Sequence, residues 1–164
     1  MEIVARHLQQ EAIRRGPADA ADLFGRSAFN RYYYATFLEV KGGLGALRDE
    51  WTRNIAHADL PQILRGQVKK QLAAGKRKAM RADDYKSAGI CASADSAAED
   101  LAKLLDAGRA TRVTADYHPE IPVDFASAPD FQLDTVGVQA AQTWPHRARG
   151  YLQVISNAWR QIHA

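Results

Sequence analysis

Apolar side chains recur at steps of three and four residues through most of the chain, in runs punctuated by Gly, Pro and Asp. That spacing builds helices and leaves little room for a sheet. The last run is the plainest: Trp144, Ala148, Tyr151, Ile155, Trp159 and Ile162 form one stripe of a helix expected from near Asp134 to the end. Pro145 sits inside it and should kink it or mark its true start. Residues 18–41 form the densest run, with Leu23, Phe24, Ala28, Arg31, Tyr32, Ala35 and Leu38 along a stripe that Tyr34 and Phe37 widen. A helix apolar around most of its circumference lies centrally in a bundle, or faces both a core and a partner chain. Gly42-Gly43 is expected to end it.

The other elements follow from punctuation. Residues 2–15 carry Ile3, Val4, Leu8, Ala12 and Ile13 at helical spacing, and Gly16-Pro17 follows, with Pro17 suited to the first turn of the next helix. Residues 44–58 carry no clear pattern, Asn54-Ile55-Ala56-His57-Ala58-Asp59 reads as a connection, and Asp59 as the N-cap of a third helix from about 60 to 74 or beyond. Asp83 or Asp84 opens a fourth, reaching about Asp106 and closed by Gly108. Residues 109–132 show little helical pattern and hold Pro119, Pro122 and Pro129. An ordered loop of that length is functional or mobile. Alanine is plentiful while Val, Ile and Thr are scattered, which again favours helices. The expected fold is all-α, an up-and-down bundle of four to five helices with a long loop before the last, as one domain over 1–164. A chain of 164 residues buries enough surface to need no staples.

Several function classes drop out. The single Cys91 excludes a disulfide framework and a cysteine-rich zinc site, and reads as a small buried thiol. No basic-then-apolar start suggests a signal peptide, and no run approaches the ~18 apolar residues of a membrane span, so a cytoplasmic address is expected. There is no phosphate-cradling glycine motif and no paired Cys/His spacing, so neither metal nor cofactor is expected. His57 reads as capping or packing, His146 as solvent-facing, and Trp51, Trp144 and Trp159 as core or interface anchors. The net charge is +3, but Lys69, Lys70, Lys76, Arg77, Lys78 and Arg81 crowd together without an acid. Two readings stand level: cations at a helix end, or a patch for phosphates. No aromatic interleaves them, so base stacking is not expected there.

Two stretches can carry chemistry. In Arg26-Ser27-Ala28-Phe29-Asn30-Arg31-Tyr32-Tyr33-Tyr34-Ala35-Thr36-Phe37, three successive tyrosines project in three directions, and Arg26 and Arg31 are charges in an apolar helix that need partners or water. In Arg112-Val113-Thr114-Ala115-Asp116-Tyr117-His118-Pro119, a permanent cation and an imidazole hold the minimum parts for metal-free RNA cleavage. Six residues turn a helix by about 600°, and a residue before proline leaves the helical region. The pair therefore converges only through a loop, a bend or a second copy of the chain.

Together these stretches resemble the HEPN superfamily. Its helix of the form R-S-A-x-x-R-x-Y-Y-A-x-F is similar to Arg26-Ser27-Ala28, Arg31, Tyr33-Tyr34-Ala35 and Phe37. A short histidine segment resembles Ala56-His57-Ala58-Asp59, and the family's arginine followed after four to six residues by histidine resembles Arg112 and His118. The resemblance implies a dimer whose two motifs meet across the interface, and a metal-independent endoribonuclease of a toxin–antitoxin or phage-defence system. Arg112 and His118 are then the catalytic candidates. Arg109, Asp116, Tyr117, Arg31, Tyr33, His57, Lys76 and Arg77 are the candidate substrate contacts. RNA is the implied partner, with a cognate antitoxin or nucleotidyltransferase beside it. Val113 after the arginine and the form Ala115-Asp116-Tyr117 resemble instead members that bind RNA, a nucleotide or a partner without cutting, which is the alternative. A third reading is a purely structural bundle in which Arg31 and Tyr33 satisfy each other.

Overall fold

The long apolar runs fold as helices in the computed structural model, which describes residues 1–16 and 19–163. Pro17, expected in the first turn of the second helix, lies outside the described residues. Helix α1 spans Glu2–Arg15, α2 Asp19–Leu47, α3 Asp59–Ile63, α4 Lys69–Arg81, α5 Tyr85–Tyr117 and α6 Val138–Ile162. A 3₁₀ turn, Asp49–Trp51, follows α2, and a π turn, Leu64–Val68, carries α3 into α4. Between α5 and α6 lie three two-residue strands, β1 Val123–Asp124, β2 Gln132–Leu133 and β3 Val136–Gly137. They pair antiparallel in that order, Val123 opposite Leu133 and Leu133 opposite Val136. The class is all-α, as the periodicity requires, and no described helix is long and apolar enough to cross a membrane.

The chain divides into two compact units, one of Met1–Leu38 with Ala107–His146, the other of Glu39–Asp106 with Arg147–Ala164. In the first, Phe29 meets Phe131 edge to face with ring centroids 5.8 Å apart, and Phe125 lies 5.1 Å beyond. Gly25 permits this approach: a Cβ there would stand 3.2 Å from Val123 and 3.3 Å from Phe131. Tyr32 is fully buried and its Oη donates 2.6 Å to Gln9 Oε1 of α1. In the second unit, Leu44, Leu60, Leu64, Val68, Leu72, Leu101 and Leu105 are buried. Ion pairs from Arg65 to Glu99 and Asp106, and from Lys69 to Asp95 and Glu99, flank that core. Cys91 is a buried free thiol, and burial pushes its pKa up.

Burial likewise pushes the Tyr32 phenol up to about 12. The folded state therefore holds this proton more tightly than the unfolded chain, whose phenol ionises near ~10. The resulting stabilisation is complete below that value and is lost as pH rises through about 12. Urea unfolding of Tyr32→Phe should show a shallower alkaline decline than the parent; parallel declines would contradict the assignment.

The structure corrects several expectations. Helix α2 does not stop at Gly42-Gly43 but runs to Leu47, because Gly43 is where Leu152 packs; a Cβ there would meet its Cδ1 at 2.7 Å. The stripe of α2 holds only in part. Ala28, Tyr32, Ala35 and Phe37 are buried as expected, but Leu23 and Leu38 are 65% and 49% exposed and Arg31 is exposed, while Phe29, Tyr33 and Thr36 are buried with the first group. Helix α5 passes Gly108 and takes in much of the expected loop, since Gly108 lets Tyr33 Cδ2 come within 3.1 Å of where a Cβ would sit. Asp59 is the first helical residue rather than the cap, and its carboxylate accepts the Ala56 N–H at 2.7 Å. Asp84 does cap α5, accepting the Ser87 N–H at 3.0 Å. Helix α6 starts at Val138, because Asp134 takes a left-handed conformation (φ 54°) in the two-residue turn between β2 and β3. It continues through Pro145. Strands of two residues are too short to show alternation, which is why the sequence predicts no sheet.

Candidate functional site

Helix α5 ends at Tyr117, and the last carbonyls of a helix have no partner within it. Arg26 of α2 supplies one. Its Nη1 donates to the carbonyls of Thr114, Ala115 and His118 at 3.3, 3.2 and 3.2 Å. Its Nη2 donates to Pro119 at 3.4 Å and to the carbonyl of Ile121. The Nε donates 2.6 Å to Asp22 Oδ2, and Asp22 Oδ1 accepts the Val123 N–H at 2.7 Å. An arginine side chain only 10% exposed thus closes the helix and straps the following loop to α2. A buried cation is tolerable when it is paired and hydrogen-bonded in this way.

Beside this clamp, Arg112 Nε lies 2.8 Å from Asp116 Oδ2, one turn further along α5. The approach is off the N–H axis, so the two form an ion pair without an aligned hydrogen bond, and Nε has none among the described residues. Asn30 Nδ2 donates 2.6 Å to the other carboxylate oxygen of Asp116. The guanidinium stands 5.4 Å from the Tyr117 ring centre, within cation–π range. Burial works against the charge on Arg112, but Asp116, with Tyr34 and Tyr117 behind it, outweighs burial and raises the pKa.

His118 is the first residue past α5, and its N–H reaches the Thr114 carbonyl at 3.1 Å. Its ring Nδ1 faces Glu120 Oε1 at 2.8 Å, and the side chain is 46% exposed. A carboxylate only accepts, so Nδ1 is the donor in this contact, which leaves Nε2 as the ring nitrogen facing away from Glu120. Glu120 is held below the usual carboxylate value, first by its own backbone N–H and then by His118.

The expected site residues are therefore only partly gathered. Asp116 and Tyr117 join Arg112, while His118 turns to a different acid, so each of the two catalytic candidates has its own carboxylate. Arg109 is exposed on α5 and Arg31 on α2. Tyr33 is 1% exposed and packs against Tyr34 and Phe37, which leaves no face for a ligand. His57, half-buried, and the exposed Lys76 and Arg77 belong to the other unit. Sequence reasoning missed Asp22, Asn30 and Glu120. The first two had a signal: Asp22, Arg26 and Asn30 step by four and so share one face of α2. Among the described residues, no three His, Cys, Asp or Glu side chains are grouped to hold a metal ion. Comparison of the chain with protein-family models, curated proteins and solved structures gave no match.

Proposed function

We propose that the chain is a HEPN-type protein that cuts RNA without a metal, using Arg112 and His118, with two copies pairing to complete each site. The observation supporting it is that a fixed guanidinium and an acid-paired imidazole both stand at the end of α5 that Arg26 pins. His118 Nε2 removes the proton from a ribose 2′-hydroxyl, whose oxygen attacks the adjacent phosphorus. Arg112 stabilises the charge that develops on the non-bridging oxygens. The 5′-oxygen leaves with a proton from solvent or from the second copy's imidazole, and the product is a 2′,3′-cyclic phosphate. A toxin–antitoxin or phage-defence role and an antitoxin or nucleotidyltransferase partner come with the family resemblance.

A specific observation favours a second reading. The Asp116 carboxylate already neutralises Arg112, which suits a module that binds RNA, a nucleotide or a protein without cutting. Incubation of the purified chain with RNA in EDTA separates the two. Cleavage is expected, reduced about a hundredfold or more in His118→Ala, and absent when the 2′-hydroxyl at the cut is replaced by hydrogen. Light scattering should give a dimer. A parent chain that binds RNA but leaves it intact supports the second reading instead.

A further inference from the structure

The geometry points to a second nucleic-acid contact, on α4, that grips the sugar–phosphate backbone and reads neither base nor sugar. It lies in the unit of Glu39–Asp106 with Arg147–Ala164 and does not depend on whether Arg112 and His118 cut RNA. Helix α4 buries Leu72 and Ala79 and exposes Lys70, Arg77, Lys78 and Arg81. At about 100° per residue, Lys70, Arg77 and Arg81 fall within an arc of roughly 40°, and Lys78 borders it. At a rise of about 1.5 Å per residue these three charges form a row about 16 Å long. Among the described residues none of the four makes an ion pair, whereas Lys69 on the flank is held by Asp95 and Glu99.

Neither a helix-end role nor a membrane role accounts for such a row. Favourable interaction with the helix dipole is confined to the last turn, where Lys78 and Arg81 stand, and leaves Lys70, three turns earlier, without a purpose. Stable anchoring on an anionic membrane needs an apolar face as well. Here the one large apolar residue of α4 turned outward is Met80. The row holds no aromatic side chain on which a base could stack. What remains is a straight, uncompensated line of cations, complementary to a chain of phosphates.

The test uses the full chain carrying His118→Ala, so that bound RNA stays intact. Fluorescence anisotropy is read with a labelled single-stranded RNA and with DNA of the same sequence, over a series of salt concentrations. Lys70→Gln/Arg77→Gln/Arg81→Gln should weaken both oligonucleotides alike. It should also lower the magnitude of the slope of log K against log salt by about 2, at roughly 0.7 for each phosphate no longer neutralised. Circular dichroism of the variant should match the parent, since all three side chains are exposed. A control with the same charge change elsewhere, Arg6→Gln/Arg14→Gln/Lys103→Gln, should leave the slope in place. The inference is overturned if the row variant binds like the parent, if the control loses as much, or if RNA alone is affected. It is also overturned if only binding to vesicles containing phosphatidylserine falls. Absence of cleavage by the unmodified chain would count against the proposed nuclease and leave this result standing.

Discussion

Arg26→Met is expected to destabilise the chain by about 3 kcal/mol, the lower part of the range for removing one partner of a buried ion pair. The substitution keeps the length and apolar stem of the side chain, so packing changes little. What disappears is the guanidinium that serves the carbonyls of Thr114, Ala115, His118, Pro119 and Ile121 together. Asp22 would keep its bond from the Val123 N–H but lose its cation. Its side chain is partly exposed, which lets water recover some of that charge and sets the lower figure. Arg26→Lys should recover less than half, because an ammonium has no planar fork to span carbonyls on two sides. Urea unfolding gives the stability, and hydrogen exchange at 114–123 locates the loss. A change below about 1 kcal/mol, or exchange unchanged over that stretch, would mean the clamp contributes little.

Trp51→Ala should cost as much or more, about 3–5 kcal/mol, the range for deleting a large buried aromatic. Trp51 is 2% exposed, meets Trp159 edge to face at 5.0 Å and lies under the Arg48 guanidinium at 5.9 Å. Its indole fills the space between a 3₁₀ turn and α6, where an alanine would leave a cavity. Trp51→Phe should cost less than half of that. The comparison of midpoints in urea decides it: equal losses for Ala and Phe would show that filled volume does not set the cost.

What the sequence made legible follows from period and punctuation. The extent of α1, the cap of α5 at Asp84 and the stripe of α6 were readable because each needs only neighbours within one or two turns, whereas the face of α1 was not, since Ile3 and Val4 are exposed. The end of α2 was not readable. Gly42-Gly43 carries the local signature of a stop, and only the later arrival of Leu152 shows why the glycine is there. Gly108 misled in the same way, since its role is set by Tyr33, far away in sequence. The buried face of α2 was legible only in part, because a helix rich in apolar residues offers more than one plausible stripe. Tyr32 lay on the expected stripe and is held by Gln9, whereas packing against Phe131 buried Phe29 and left Leu23 and Leu38 outside. At the candidate site, Asp116 and Tyr117 were found through proximity to Arg112. Asn30 and Asp22 reach their partners across sequence separations of 86 and 101 residues. Arg26 was recognisable as a charge in need of a partner, but nothing local named the carbonyls that satisfy it.

The bond from Arg26 to the Ile121 carbonyl bridges 95 residues. During synthesis, Arg26 leaves the ribosome long before its acceptors exist, so α2 must wait with this cation hydrated. Closing so long a stretch of chain costs entropy before any contact rewards it. The strap should therefore set late, after the helices on either side have formed. Substitutions at Arg26 should accordingly speed unfolding far more than they slow folding.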